Sequence, residues 1–169
     1  GEILIWVGEI EPFELEEAQA NPPEVVIPWA AVREEYTSRQ YVPLAYPAVT
    51  DPGVAMALEK AALDAGLLNQ VGVVLTTDTP GKSQGNFSPS KLDLEAYLKA
   101  GVLGREMSVS ALFVTARLLG VRAGALLKVT EVNHVTGEML MKNCLKALER
   151  IESEVTRFPG DSMGDKDEG

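Results

Sequence analysis

Side chains that commonly carry catalysis are scarce in this sequence. Its 169 residues hold one cysteine, Cys144, and one histidine, His134. A lone cysteine closes no internal disulfide, and a lone histidine builds no multi-histidine metal cluster. Structural zinc, haem attachment and a nucleophilic triad needing a second histidine are therefore disfavoured. Chemistry must come from carboxylates, hydroxyls and cations. His134 reads as a solvated loop residue. Cys144 falls on an apolar helical stripe, where packing outweighs reactivity.

The length suits one domain with one sizeable core. Hydrophobic residues are 46% and charged residues 24% of the chain, close to the globular average, so most of it is expected to fold. The net charge of −10 is uneven. Residues 1–32 hold seven glutamates and no lysine or arginine, residues 33–157 balance 14 acids with 14 bases, and residues 158–169 hold four acids against Lys166. An acidic chain without a basic stripe lacks the footprint of a nucleic-acid binder. No apolar run approaches the roughly 18 to 20 residues of a membrane span, and a soluble, cytoplasmic protein is expected.

The elements that would position these residues alternate between strands and helices. Residues 2–7 (EILIWV) read as a buried strand ending at Gly8, and residues 13–20 as a helical turn or two. Val25 to Ile27 is extended up to Pro28, and residues 29–50 read as irregular chain or edge strand. Asp51-Pro52 is an N-cap with proline at the first helical position, opening a helix that runs to Gly66. Val71 to Thr76 reads as a strand buried on both faces. A polar loop over 78–89 leads to a helix capped by Ser90 and ended by Gly101. A further helix spans about Ser108 to Leu119, a strand Val121 to Val129, and a last helix Gly137 to Val155 with Met141, Cys144, Leu145, Leu148, Ile151 and Val155 on one stripe. The predicted core includes Val73, Leu75, Leu112, Phe113, Leu126, Leu145 and Leu148. The pattern is that of an α/β domain over 1–157, and residues 158–169 are expected to be a disordered acidic tail.

Three stretches carry a resemblance: VVIPWAAVREEYTSRQYVPLAYPAVTDP (25–52), VGVVLTTDTPG (71–81) and GREMSVSALFVTARLLGVRAGALLKVTE (104–131). In order and spacing, over roughly residues 3–156, the chain resembles the nucleoside phosphorylase superfamily, closest to its uridine phosphorylase branch. The resemblance implies a three-layer αβα fold with a mixed, distorted central sheet. It also implies reversible phosphorolysis of a nucleoside to base and pentose 1-phosphate. No cofactor is implied beyond phosphate as co-substrate. Members carry a first βαβ region ahead of this part that gives a glycine and an arginine to the phosphate; these 169 residues hold no counterpart, and the domain is expected to lack it.

Each requirement of that reaction falls on identifiable positions. Where the family has an Arg-x-Gly-Thr phosphate turn, this chain has Trp6-Val7-Gly8-Glu9. The cation and the hydroxyl are gone, and a carboxylate at about 4 Å from phosphate costs on the order of 4 kcal/mol at an effective dielectric near 20, close to a thousandfold. The alternative is that Glu9 turns outward to water. The ribose clamp, Glu-Met-Glu in the family, reads Glu106-Met107-Ser108, and a serine does not replace charge-assisted bonds worth about 1.5 to 3 kcal/mol. Ser108 is better placed as the N-cap of the next helix. The base pocket falls on Thr77, Asp78, Lys82 and Gln84, without the aromatic pair the branch carries there. Lys82 and Gln84 also fit a solvated loop. Glu131 stands where the purine branch has its proton-donating aspartate, although a strand-end glutamate in water is the plainer account.

The resemblance therefore implies a protein impaired in phosphorolysis that serves as a binding or structural subunit, with a nucleoside or nucleobase as its ligand. The rival is an active phosphorylase or hydrolase using Glu106, Glu131 or Lys82. Assembly is expected, as a homo-oligomer or with a full-length paralogue, because a chain without the first βαβ region should expose sheet edge. The apolar segment Tyr36 to Ala48, with Tyr41, Val42, Leu44 and Tyr46, is the expected contact.

Overall fold

The computed structural model describes residues 1–13, 22–79 and 91–157. Its elements are β1 (Ile3–Pro12), β2 (Val25–Glu34), a 3-10 turn (Ser38–Gln40), β3 (Ala48–Val49), α1 (Pro52–Asp64), β4 (Asn69–Thr77), α2 (Lys91–Lys99), β5 (Gly104–Glu106), α3 (Val109–Leu118), β6 (Arg122–Val129) and α4 (Gly137–Arg157). The expected helical turn after Phe13, the loop holding Lys82 and Gln84, the Ser90 cap and the acidic tail lie outside the described residues.

Local rules account for several boundaries. Asp51 caps α1 as expected: its carboxylate accepts the Val54 N–H at 3.0 Å, with Pro52 first in the helix. Gly66, just beyond the helix, has φ +71°, a left-handed conformation that glycine adopts without a Cβ penalty. β4 and β6 lie where the two apolar runs predict them.

Three expectations need correction. β1 does not end at Gly8 but continues to Pro12, pairing parallel with β6 from Ile3↔Arg122 to Ile10↔Val129. Glu9 is tolerated within it because its carboxylate meets the Lys128 ammonium at 3.5 Å across the strand pair. β2 likewise passes through Pro28 to Glu34, and the register against β4 shifts between Pro28 and Ala30. That irregularity absorbs a residue with no N–H to donate. Finally, the stripe of α4 is turned by one position. Leu140, Cys144, Ala147 and Ile151 are buried, while Met141 and Leu145, expected inside, are 56% and 52% exposed.

The six strands lie in the order β3-β2-β4-β5-β1-β6, and β2 also pairs with β6 through Val25↔Lys128 and Val26↔Leu127. The sheet thus closes on itself, with parallel and antiparallel pairs mixed. On one side α1 and α4 bury Val54, Leu58, Cys144 and Ile151 against Val25, Ile27 and Leu126. On the other, α3 packs Phe113 and Val114 on Val26, Val74 and Leu127. A third, smaller cluster joins Phe13, Leu75 and Val102 with Leu94 and Leu98 of α2. The arrangement is the mixed α/β fold expected, helices outside and the sheet between them.

Candidate functional site

β2 and β4 run parallel and finish side by side, Glu34 opposite Thr77. β5 joins them, Thr76 pairing with Glu106, and α3 begins three residues after Glu106. The carboxyl ends of parallel strands and the N-termini of helices are common places for ligands in α/β folds, closed or open. β1 pairs antiparallel with β5, Glu11 against Arg105. Its earlier residues, Gly8 and Glu9 among them, therefore continue past the end of β5 on the side of Met107 and Ser108. The register brings Thr76, Thr77 and Glu106 together at one set of strand ends, while Trp6, Gly8 and Glu9 lie within β1, upstream of the Glu11 and Pro12 that pair with β5.

Glu106 is 7% exposed and points inward. Its carboxylate accepts the N–H groups of Ser108 and Val109, the latter at 2.9 Å, and the Thr76 hydroxyl. Burial pushes its pKa above the usual carboxylate value, with a smaller contribution from the charge of Glu35, and these hydrogen bonds only partly offset the rise. Ser108 does occupy the N-cap position of α3, but its side chain makes no capping bond. The Glu106 carboxylate, two residues upstream, satisfies those donors instead. Met107 is half exposed between them.

Beyond Glu106 runs a buried polar chain that the sequence did not single out. Thr76 Oγ1 accepts the Ser110 N–H at 3.0 Å, and Ser110 Oγ donates to Glu35 at 2.7 Å. Glu35 also accepts the Ser38 N–H at 2.8 Å and the Ser38 hydroxyl. Burial raises the Glu35 pKa, but the Ser38 and Ser110 bonds and the nearby Arg33 charge outweigh it, and the net shift is downward. Arg33, itself 5% exposed, donates to Ser38 Oγ and to the carbonyls of Val42, Pro43 and Tyr46. The signal that would have found it is alternation. Arg33 and Glu35 sit two apart at a strand end, so they share a face, and that face is the buried one.

The remaining predicted positions are less engaged. Thr77 is buried and donates to the Thr79 carbonyl at 2.8 Å, and exposed Asp78 accepts the Tyr36 N–H at 2.8 Å. Trp6 is 40% exposed. Glu131 lies exposed on the turn after β6 and makes no hydrogen bond or ion pair to the Glu35–Glu106 cluster. His134, expected to be solvated, is exposed but pairs with Glu24, whose carboxylate also accepts the Leu68 N–H. Cys144 is buried as expected, and burial pushes its thiol up to about 11.

Among the described residues, the arginines at the strand ends are already committed: Arg33 to loop carbonyls, Arg39 to Glu34 at 3.4 Å and Arg105 to Glu11 at 3.5 Å. Tyr97 donates to Glu34 at 2.7 Å, and its phenol is raised to about 12, by burial first and then by that bond.

The sequence profile of the Phosphorylase superfamily matches residues 17–158. A uridine phosphorylase of Thermococcus kodakarensis is 36% identical over 122 residues, covering 68% of this chain and 44% of its own length. One of Treponema pallidum is 37% identical over 110 residues, covering 62% and 43%. This chain thus spans under half the length of these relatives. Among solved structures, AMP nucleosidase from Bacteroides thetaiotaomicron superposes with a TM-score of 0.72 at 24% identity, over 92% of this chain and 63% of that one. The P. knowlesi homologue of P. falciparum PNP superposes at 0.70 and 27% identity, with the same coverage.

Proposed function

Since the chain belongs to the phosphorylase superfamily, on its uridine phosphorylase-like branch, we propose that it is a nucleoside-binding or structural subunit impaired in phosphorolysis. The observation that carries this reading is the fate of Glu106-Met107-Ser108. The first carboxylate is spent inward on the start of α3 and on Thr76, and the position from which the resemblance expects a second carboxylate to hold ribose is a serine. Without that group the sugar loses charge-assisted bonds worth about 1.5 to 3 kcal/mol, and the oxocarbenium-like charge developing at its anomeric carbon loses a nearby anion.

The phosphate side supports the same reading. Where the resemblance expects a cation and a hydroxyl for the anion stand Trp6 and Glu9, which offer neither; Glu9 is turned outward to water, and the Lys128 ammonium beside it is already paired to it. The rival use of Glu106 as a proton donor is disfavoured because both its oxygens face protein groups. Glu131 is exposed and shares no hydrogen bond with the buried network.

In this reading the subunit acts within an assembly, of its own kind or with a full-length paralogue, in the cytoplasm. Phosphate titration by calorimetry tests the loss of the anion site. The expected result is no binding tighter than about 1 mM, roughly 4.1 kcal/mol; a tighter constant contradicts it.

A further inference from the structure

At the ends of β2 and β4 the chain holds one aromatic residue in place by its backbone and leaves its ring in the open. Tyr36 lies two residues beyond β2 and is 69% exposed. The residue before it, Glu35, is 2% exposed and accepts the Ser38 N–H, the Ser38 hydroxyl and the Ser110 hydroxyl. Tyr36 itself donates its N–H at 2.8 Å to Oδ2 of Asp78, the first residue beyond β4. Binding through a loop usually costs the entropy of ordering it, and here these bonds already fix the backbone that carries the ring.

Asp78 adds a polar group to that ring. It is exposed, and while Oδ2 is committed to Tyr36, Oδ1 has no hydrogen bond among the described residues. An ionised carboxylate only accepts, so this oxygen selects a group that carries a proton to donate. Neighbouring donors are engaged elsewhere, Arg39 and the Tyr97 hydroxyl both on Glu34. A flat ring with an N–H on its edge would use both features at once, its face against Tyr36 and its edge against Asp78. A pentose has no such face, and a phosphate meets a carboxylate of its own sign.

We propose that Tyr36 and Asp78 form a platform for a free nucleobase, the base stacked on the Tyr36 ring and one of its N–H groups donated to Asp78 Oδ1. The ligand is then recognised by its base and not by its sugar. Ribose gains little here, because Ser108 offers no charge and the Glu106 carboxylate is turned inward on the N–H groups of Ser108 and Val109. Stacking on an aromatic side chain tolerates any base, since every base has a flat face. Uracil, hypoxanthine and adenine each carry an N–H on their edge, so the platform accepts all three. The inference deepens the ligand-binding reading given above and rests on it.

Calorimetric titration of the whole chain with uracil, uridine, hypoxanthine, inosine and uridine methylated on its ring nitrogen tests this, alongside Tyr36→Ala and Tyr36→Phe, each variant checked for folding by its thermal transition. Each base and its nucleoside should bind within about threefold of one another. Tyr36→Ala should weaken all of them by at least about fivefold, the lower end of what a stacked base loses on alanine substitution. Tyr36→Phe, which keeps the ring, should stay within about twofold. The methylated uridine has no N–H left on its base and should bind at least about fivefold more weakly than uridine. Nucleosides that bind while free bases do not would overturn this inference and leave the nucleoside-binding reading standing. Affinities unchanged in Tyr36→Ala, or equal for uridine and its methylated form, would also overturn it. No binding of any of the five to the unaltered chain overturns both readings. Phosphate-dependent turnover with the expected affinities intact would count against impaired phosphorolysis alone.

Discussion

Thr76 and Glu106 pair across the junction of β4 and β5, the threonine hydroxyl donating to the carboxylate while its oxygen accepts the Ser110 N–H at 3.0 Å. One hydroxyl thereby ties two strands to the start of α3. Thr76→Val keeps the shape and leaves a buried N–H and a carboxylate oxygen short of a partner each. The expected loss is about 2 to 3 kcal/mol, read from urea unfolding; a loss under about 0.5 kcal/mol would show that water replaces the hydroxyl.

The pH dependence of stability has two opposed parts. Glu24, Glu35 and Asp51 have lowered pKa values, so their contribution is present above the ordinary values of 4.5, 4.5 and 3.8 and is lost as pH falls through the lowered ones. Glu106 is raised, so its contribution is full below 4.5 and is lost as pH rises through its folded value. Glu106→Gln is expected to remove this second decline while keeping the acid limb. Urea midpoints measured across pH check it, and an unchanged slope above pH 4.5 would mean that Glu106 is not perturbed.

Asn143 is 3% exposed between α4 and α1, its amide nitrogen donating to the Leu58 carbonyl at 3.3 Å and its oxygen without a partner among the described residues. Asn143→Leu replaces a half-satisfied buried amide by a side chain of similar volume. A gain of about 1 kcal/mol in chemical denaturation is expected, and destabilisation by as much would reveal a partner for that oxygen.

The true stripe of α4 separates two apolar residues of the same helix. Leu145→Lys should change stability by no more than about 0.5 kcal/mol because Leu145 is 52% exposed. Ile151→Ala, at 5% exposure, should cost about 2 to 5 kcal/mol. Equal costs in thermal or urea unfolding would restore the stripe read from periodicity.

The sequence showed where strong local signals act alone. Asp51-Pro52, the apolar runs of β4 and β6 and the glycine after α1 each carry a physical instruction that tertiary context had no reason to override. It misled where a distant partner changes the meaning of a residue. Gly8 and Glu9 look like a turn until Lys128 comes alongside, and Pro28 looks like a stop until β4 accommodates an irregular register. Ser108 looks like a cap because caps are usually read from the adjacent side chain, yet a carboxylate two residues back does the capping. Closure of the sheet through Val25 and Val26 on β6 left no trace in composition. The candidate site was legible as positions through the resemblance, but the buried chain from Arg33 to Thr76 was not, since five polar residues from three segments meet only in the folded chain.

Release of free base from uridine, inosine and adenosine, measured with and without inorganic phosphate, tests the central claim most directly. No phosphate-dependent release is expected from any of the three. Turnover that depends on phosphate, and that falls when Glu106, Glu131 or Lys82 is replaced, would contradict the account and establish an active phosphorylase with an unconventional site.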